Sequence, residues 1–362
     1  MKTIVLTTGG SGGHIFPAQS VAAELLKKGY RVIFITDKRG NAFQNLPEVQ
    51  TYHLMAESVT GRSIFGKFIA AFKLFAGTVQ AMKLLSQLKP DLVIGFGGYA
   101  SVPTVASAQR MKIPTILHEQ NAVLGRANRL AAKGVQLIAT SFPTVSRVPK
   151  NVPTIHVGQP VRAPILAKQN SPLPEGNIFH LLVFGGSQGA HFFSERIPEA
   201  LMQLPEEYRA RIALTQQARP EDEAGLRQAY QNAGFNSLTI APFFDNMPEL
   251  LSQSSLVIGR GGAGTLTEVM VVGRPAIIIP LPTAADNHQS ANAKELENAG
   301  GGWVIEQSNF NAAEIADKIK LLMDDPEQAK QVAQKAHSLA IINAAERVAN
   351  IVDDLLNGEE KK

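Results

Sequence analysis

Imidazoles, carboxylates and side-chain amides gather at a few points of this chain, and each gathering adjoins a turn or a pair of glycines. His14 closes the run Gly9-Gly10-Ser11-Gly12-Gly13-His14. An imidazole titrates near neutral pH and suits the removal of a hydroxyl proton, although a histidine at a helix start can also be satisfied by backbone alone. Arg260-Gly261-Gly262-Ala263-Gly264-Thr265-Leu266-Thr267-Glu268 reads as a strand end, a glycine turn and a helix start. Its amides suit a diphosphate, while Glu268 either accepts ribose hydroxyls or only complements the helix dipole. Asp286-Asn287-His288-Gln289-Ser290-Ala291-Asn292 supplies the mixed donors and acceptors that sugar hydroxyls need, unless Asp286 simply caps a helix. His118-Glu119-Gln120-Asn121 is a similar polar knot, and it is no zinc motif, because H-E-x-x-H would require histidine at Ala122.

Two further glycine pairs, Gly97-Gly98 and Gly185-Gly186, also follow apolar runs. Glycine lets backbone approach a ligand closely, and a helix start beyond it offers free N–H groups to phosphate. The dinucleotide pattern G-x-G-x-x-G fails at Ile15, and no Gly-Lys-Ser/Thr exists for a Walker loop, although Asp37 stands where a ribose acid would. No Asp-x-Asp triplet is present, so no metal-held donor and no cofactor are expected. Charge on a leaving pyrophosphate then falls to helix ends and to Arg162, after the turn Gly158-Gln159-Pro160-Val161. With no Cys, thiolate chemistry and disulfides are excluded.

Short β-branched runs alternate with longer stretches of helical period, which predicts parallel βαβ units covered on both faces. At 362 residues two domains are expected: 1–160, then 161–340 after a segment containing Pro160, Pro164, Pro172 and Pro174. Each half opens on a strand, a Gly-Gly-Ser turn and a helix start, so two Rossmann-like halves are predicted, with ligands beyond the carboxyl ends of the strands in a cleft between them. A helix over about 341–362 is amphipathic and is expected to pack back on the first domain.

Residues 1–160 carry 18 Lys+Arg against 6 Asp+Glu, and the remainder 17 against 25. The first half therefore suits an anionic partner, either nucleic acid or a lipid surface. Phe65, Phe68, Phe72 and Phe75 share one helical face beside Lys67 and Lys73, which is either core or a patch that docks on anionic lipid. No run reaches the ~18 apolar residues of a spanning helix, and the apolar start is too brief for a signal peptide. Nucleic acid ranks last, since the aromatic face lacks interleaved basic residues of the stacking type.

Taken in order and spacing, the Gly9–His14, Gly97-Gly98-Tyr99-Ala100-Ser101, His118–Asn121, Gly185-Gly186-Ser187-Gln188-Gly189-Ala190 and Arg260–Glu268 runs resemble the MurG family within glycosyltransferase family 28, over essentially the whole chain. The resemblance implies a GT-B fold and inverting transfer of N-acetylglucosamine from UDP-GlcNAc to the 4-hydroxyl of undecaprenyl-pyrophosphoryl-MurNAc-pentapeptide, turning lipid I into lipid II in peptidoglycan synthesis. It further implies a peripheral place on the cytoplasmic face of the cell membrane, with wall-synthesis proteins as possible partners. Carried onto matching positions, it puts Ser11, Gly12, Gly13, Asn121, Arg162, Ser187, Phe244, Ala263, Gly264, Thr265, Glu268, Gln289 and Asn292 at the donor. Gly13, His14, Tyr99 and Glu119 line the acceptor side, with His14 and Glu119 as catalytic candidates. Departures are Ser11 where Thr is common, Gln159 where Asn is usual and His288 in place of the first of a Gln pair. The alternatives are a UDP-GlcNAc 2-epimerase of the same fold and a non-catalytic nucleotide-sugar-binding subunit.

Overall fold

The computed structural model describes residues 1–9, 12–37, 46–55, 64–186 and 191–358, with backbone alone for 64–73. The chain divides into two compact units, Met1–Arg162 together with the segment from Ile341 onward, and Ala163–Ala340. In the first, strands β1 (Thr3–Thr7), β2 (Arg31–Thr36), β3 (Gln50–His53), β4 (Leu92–Gly95), β5 (Thr115–Glu119), β6 (Leu137–Thr140) and β7 (Thr154–His156) form one sheet in the order β3-β2-β1-β4-β5-β6-β7. Every neighbouring pair is parallel. Ile4 and Leu6 pack on one side with Val21, Leu25 and Phe34, while Val5 packs on the other with Ile33, Leu85 and Val93. A strand buried on both faces is apolar on both, which is why Ile4, Val5 and Leu6 of β1 show no alternation.

The second unit holds β8 (Phe179–Phe184), β9 (Ile212–Gln217), β10 (Ser237–Ala241), β11 (Leu256–Gly259), β12 (Ala276–Ile278) and β13 (Gly302–Val304), again parallel, in the order β10-β9-β8-β11-β12-β13. In each sheet the strand order reverses once, between β1 and β4 and between β8 and β11. Connections from these strands leave in opposite directions, so a crevice opens beyond their carboxyl ends. All four glycine pairs follow these four strands.

The chain returns to its first unit at the end. Helix Ala344–Gly358 lays Val348, Val352 and Leu356 into the cluster that contains Val21 and Leu25 of helix Gly12–Lys27. Lys28 Nζ and Tyr30 Oη donate to the two Asp353 carboxylate oxygens at 2.6 and 2.5 Å, and Lys2 Nζ donates to the Leu356 carbonyl at 3.0 Å. The proline-bearing stretch after Arg162 is no loose tether. Ile165 is buried, and the Arg274 guanidinium donates to the Ser171 and Pro172 carbonyls at 2.8 and 3.0 Å, fixing the segment to the second unit.

Candidate active site

In the first unit, helix Gly12–Lys27 starts earlier than the sequence suggests, so Gly12, Gly13 and His14 form its first turn directly above the end of β1. The facing loop after β4 holds Gly97 and Gly98, both at positive φ. A Cβ on Gly98 would stand 2.8 Å from both Cα and N of Gly9, so two glycines are what allow the two loops to meet. His14 lies along the same backbone: its Cε1 and Cδ2 come within 3.5 and 3.7 Å of the Cβ positions that Gly97 and Gly98 lack. Tyr99 follows, half-buried, just ahead of helix Ser101–Arg110.

At the end of β5, Gln120 reaches across to His14, with its Oε1 2.9 Å from the imidazole Nδ1. His118 is fully buried, and burial lowers its pKa to about 4, so its ring is neutral near pH 7. Its Nε2 lies 3.4 Å from the Gly158 carbonyl, on the turn that leads to Arg162. Ser20 Oγ donates to the Val161 carbonyl at 2.8 Å, and the Arg162 guanidinium sits 4.5 Å over the Phe16 ring. Arg162 is thus held beside the first turn that carries His14.

Glu119 is enclosed by donors. Its carboxylate is 1% exposed and accepts from the Asn121 N–H and Nδ2 at 2.9 and 3.2 Å and from the Gly125 N–H and Asn128 Nδ2 at 2.8 Å each. Four donors occupy both oxygens, so Glu119 clamps the loop that follows β5. Asn121 is held by that clamp. Asn128 Oδ1 is buried without a partner, and Gln159 Oε1 likewise.

The second unit builds its loops from amides. Helix Ala263–Val272 begins after Gly262, and no side chain caps its first turn. The N–H groups of Ala263, Gly264 and Thr265 have no acceptor within the helix, and an anion at the positive end of the dipole would satisfy them. Glu268 is the sixth residue of that helix. Dipole stabilisation fades beyond the first turn, so the ligand-binding alternative gains over the capping one.

Gln289 Oε1 accepts from the Gly261 and Leu281 N–H groups at 3.1 and 2.9 Å, which turns its Nε2 outward as a donor. Asn292, 1% exposed, donates from Nδ2 to the Gly261 carbonyl at 3.1 Å, so it acts on the glycine turn from beneath. Asp286 does not cap helix His288–Asn298; Asn287 stands at the cap, and both have positive φ, 57° and 55°. Consecutive left-handed residues other than glycine cost roughly 1–3 kcal/mol each, and such strain collects at functional loops.

Gln217, which the sequence reading passed over, joins two parts of this half-site. Its Oε1 accepts from the Gly185 N–H at 3.1 Å, and its Nε2 donates to the Pro242 carbonyl at 2.9 Å, next to the loop that carries Phe244. Ser11 and Ser187 lie outside the described residues. So do the side chains of Phe65, Lys67, Phe68, Phe72 and Lys73 on helix Ile64–Leu88. On the same helix Phe75 is 69% exposed and Val79, one turn on, 53%, whereas Ala81 and Leu85 are buried. Among the described residues no helix is long and apolar enough to cross a membrane, and no cluster of three His, Asp or Glu side chains could hold a metal.

Residues 4–140 match the model of the glycosyltransferase family 28 N-terminal domain, and residues 180–354 that of the family's C-terminal domain. The UDP-N-acetylglucosamine–N-acetylmuramyl-(pentapeptide) pyrophosphoryl-undecaprenol N-acetylglucosamine transferase of Paramagnetospirillum magneticum is 46% identical, over 98% of this chain and 97% of its own. The chain belongs to glycosyltransferase family 28. A family 28 relative with the same description, from Brucella abortus, is 41% identical over 98% of this chain and 95% of its own. The crystal structure of Acinetobacter baumannii MurG superposes with a TM-score of 0.79 at 29% identity, covering 98% of this chain and all of that one. A UDP-GlcNAc 2-epimerase from Neisseria meningitidis, solved with UDP-GlcNAc bound, shares the fold alone: TM-score 0.70, 15% identity, 98% of this chain and 100% of that one.

Proposed function

We propose that this enzyme of family 28 transfers N-acetylglucosamine from UDP-GlcNAc, with inversion, to the 4-hydroxyl of the muramyl sugar in undecaprenyl-pyrophosphoryl-MurNAc-pentapeptide. The observation that carries this reading is likeness along nearly the full length, at 41–46% identity, to transferases that bear that description. The epimerase alternative has only a shared fold behind it.

The first unit takes the acceptor and the second the donor. His14 removes the hydroxyl proton as the oxygen attacks the anomeric carbon, and the bond from that carbon to the UDP oxygen breaks. The departing charge meets the uncapped amides of Ala263, Gly264 and Thr265 and the Arg162 guanidinium. Glu268 accepts the ribose hydroxyls, Gln289 Nε2 donates to the sugar or its phosphate, and the backbone at Phe244 pairs with uracil. Ser11, Gly12, Gly13, Asn121 and Ser187 complete the donor contacts, Tyr99 the acceptor ones.

The acceptor is held in a bilayer, so the enzyme works at the cytoplasmic membrane face as a peripheral protein. Support comes from Phe75 and Val79, exposed on one helix face, and from 22 Lys+Arg against 11 Asp+Glu in the first unit. In the cell such an enzyme serves wall growth, and hence shape and division. A turnover assay with UDP-GlcNAc and a lipid I analogue, with and without chelator, tests the reaction. Product that forms only with the acceptor, and undiminished by the chelator, is expected. Formation of UDP-ManNAc from UDP-GlcNAc alone would transfer the chain to the epimerases.

A further inference from the structure

We infer that Gln120 is the positioning residue of the His14 base: its side-chain carbonyl holds the His14 imidazole in the Nδ1–H tautomer. The inference rests on the proposed role of His14. It begins with the orientation of the Gln120 amide, which is 2% exposed. Gln120 Nε2 lies 2.9 Å from the Phe96 carbonyl, and that carbonyl can only accept, so the nitrogen must face it. Oε1 is then the atom 2.9 Å from His14 Nδ1. A carbonyl oxygen cannot donate, so the proton of the neutral ring sits on Nδ1 and its lone pair on Nε2.

The second histidine agrees with this assignment. Gln120 Nε2 also lies 3.2 Å from His118 Nδ1, which therefore accepts, and His118 Nε2–H donates toward the Gly158 carbonyl. That is a neutral histidine, as its burial requires. The orientation of His14 is thus set by a chain of partners of fixed character: two backbone carbonyls at the ends, an amide and a neutral imidazole between them.

The lone pair then lies on the side of the ring that faces the glycine pair. Nε2 is bonded to Cε1 and Cδ2, the two carbons that run along Gly97 and Gly98, so the proton-accepting edge of the ring borders the glycine pair at the mouth of β4. An amide differs here from the carboxylate that orients histidine in hydrolytic triads. A carboxylate beside Nδ1–H stabilises the imidazolium and raises its pKa. A neutral carbonyl selects the same tautomer without adding that negative charge beside the ring.

The test is 15N NMR of the histidine rings in the full-length enzyme, together with steady-state kinetics. The wild-type His14 spectrum should show Nδ1 protonated and Nε2 bare, and an Nε2–H pattern would overturn the inference whatever the variants do. Gln120→Met, close in size but without an acceptor, should move His14 toward the Nε2–H form and lower kcat by about tenfold to a hundredfold. KM for UDP-GlcNAc should stay within about twofold. Gln120→Glu, whose carboxyl can accept from Nδ1 again, should restore the Nδ1–H pattern. An unchanged His14 spectrum in Gln120→Met, or a loss confined to thermal stability or KM, would leave Gln120 a packing residue. If His14→Ala instead keeps its turnover, the base assignment fails by itself, because the spectrum judges Gln120 without reference to activity.

Discussion

The two glycine loops that open the halves of this chain share a strand, a Gly-Gly-Ser turn and a helix start, yet the structure builds opposite chemistry around them. Around the first stand ionisable side chains backed by buried partners: His14 on Gln120, Gln120 on His118, and Glu119 inside a cage of four donors. In the second half the uncapped amides at the start of helix Ala263–Val272 do the presenting, and side chains hold the backbone in place, Gln217 at Gly185 and Gln289 and Asn292 at Gly261. A repeated motif therefore marks a topological position, the reversal of strand order, and leaves the chemistry to whatever the neighbouring strands deliver there. Proton transfer needs a group of adjustable charge. A diphosphate needs fixed dipoles.

The largest expected effect breaks the first side of this contrast. His14→Ala should lower kcat by about a hundredfold to ten-thousandfold while calorimetric binding of UDP stays near wild type. A loss of UDP binding in that variant would move His14 across to the donor-holding group. Next comes Glu119→Ala, which removes the carboxylate that accepts from two backbone N–H groups and two side-chain amides. It should destabilise the protein by roughly 3 kcal/mol or more in denaturant titrations, with Glu119→Gln intermediate.

The contrast also predicts a pH dependence in the first unit. Unfolded, His118 titrates near 6.5; folded, near 4. Between these values the unfolded chain binds a proton that the folded one does not, so stability is full above about 6.5 and declines as pH falls toward 4. The decline should approach about 3 kcal/mol and should flatten in His118→Asn, read from urea midpoints across that range. On the second side, Glu268→Ala should weaken UDP about tenfold to a hundredfold with little change in melting temperature. A fall in melting temperature with UDP binding intact would return Glu268 to a structural part.

Much of the architecture was legible because parallel strands covered on both faces carry near-continuous apolar runs, as β1, β4, β8 and β11 do apart from Thr3, Thr7 and His180. The two strands that escaped, β3 and β7, are edge strands: Gln50 and His53 are exposed, as are Thr154, Ile155 and His156, so they carry no apolar run to read. The glycine pairs and His14 were legible from their types and spacing. Gln120 and Gln217 were not, because a glutamine has no signature in a single sequence and takes its role only from the strand ends that the topology sets side by side. The four donors around Glu119 were hidden for the same reason, since they come from the loop that folds over it. Whether Glu268 could complement a helix dipole was not legible, since the glycine turn hides where its helix begins.

The helix Ala344–Gly358 that closes over Val21 and Leu25 makes the second unit, in effect, a long insertion within the first. During synthesis residues 163–340 can assemble as soon as they emerge, whereas the lobe made earliest must wait with an uncovered apolar flank until the last helix arrives. Shortening the chain at its far end would thus injure the beginning of the protein and spare its middle.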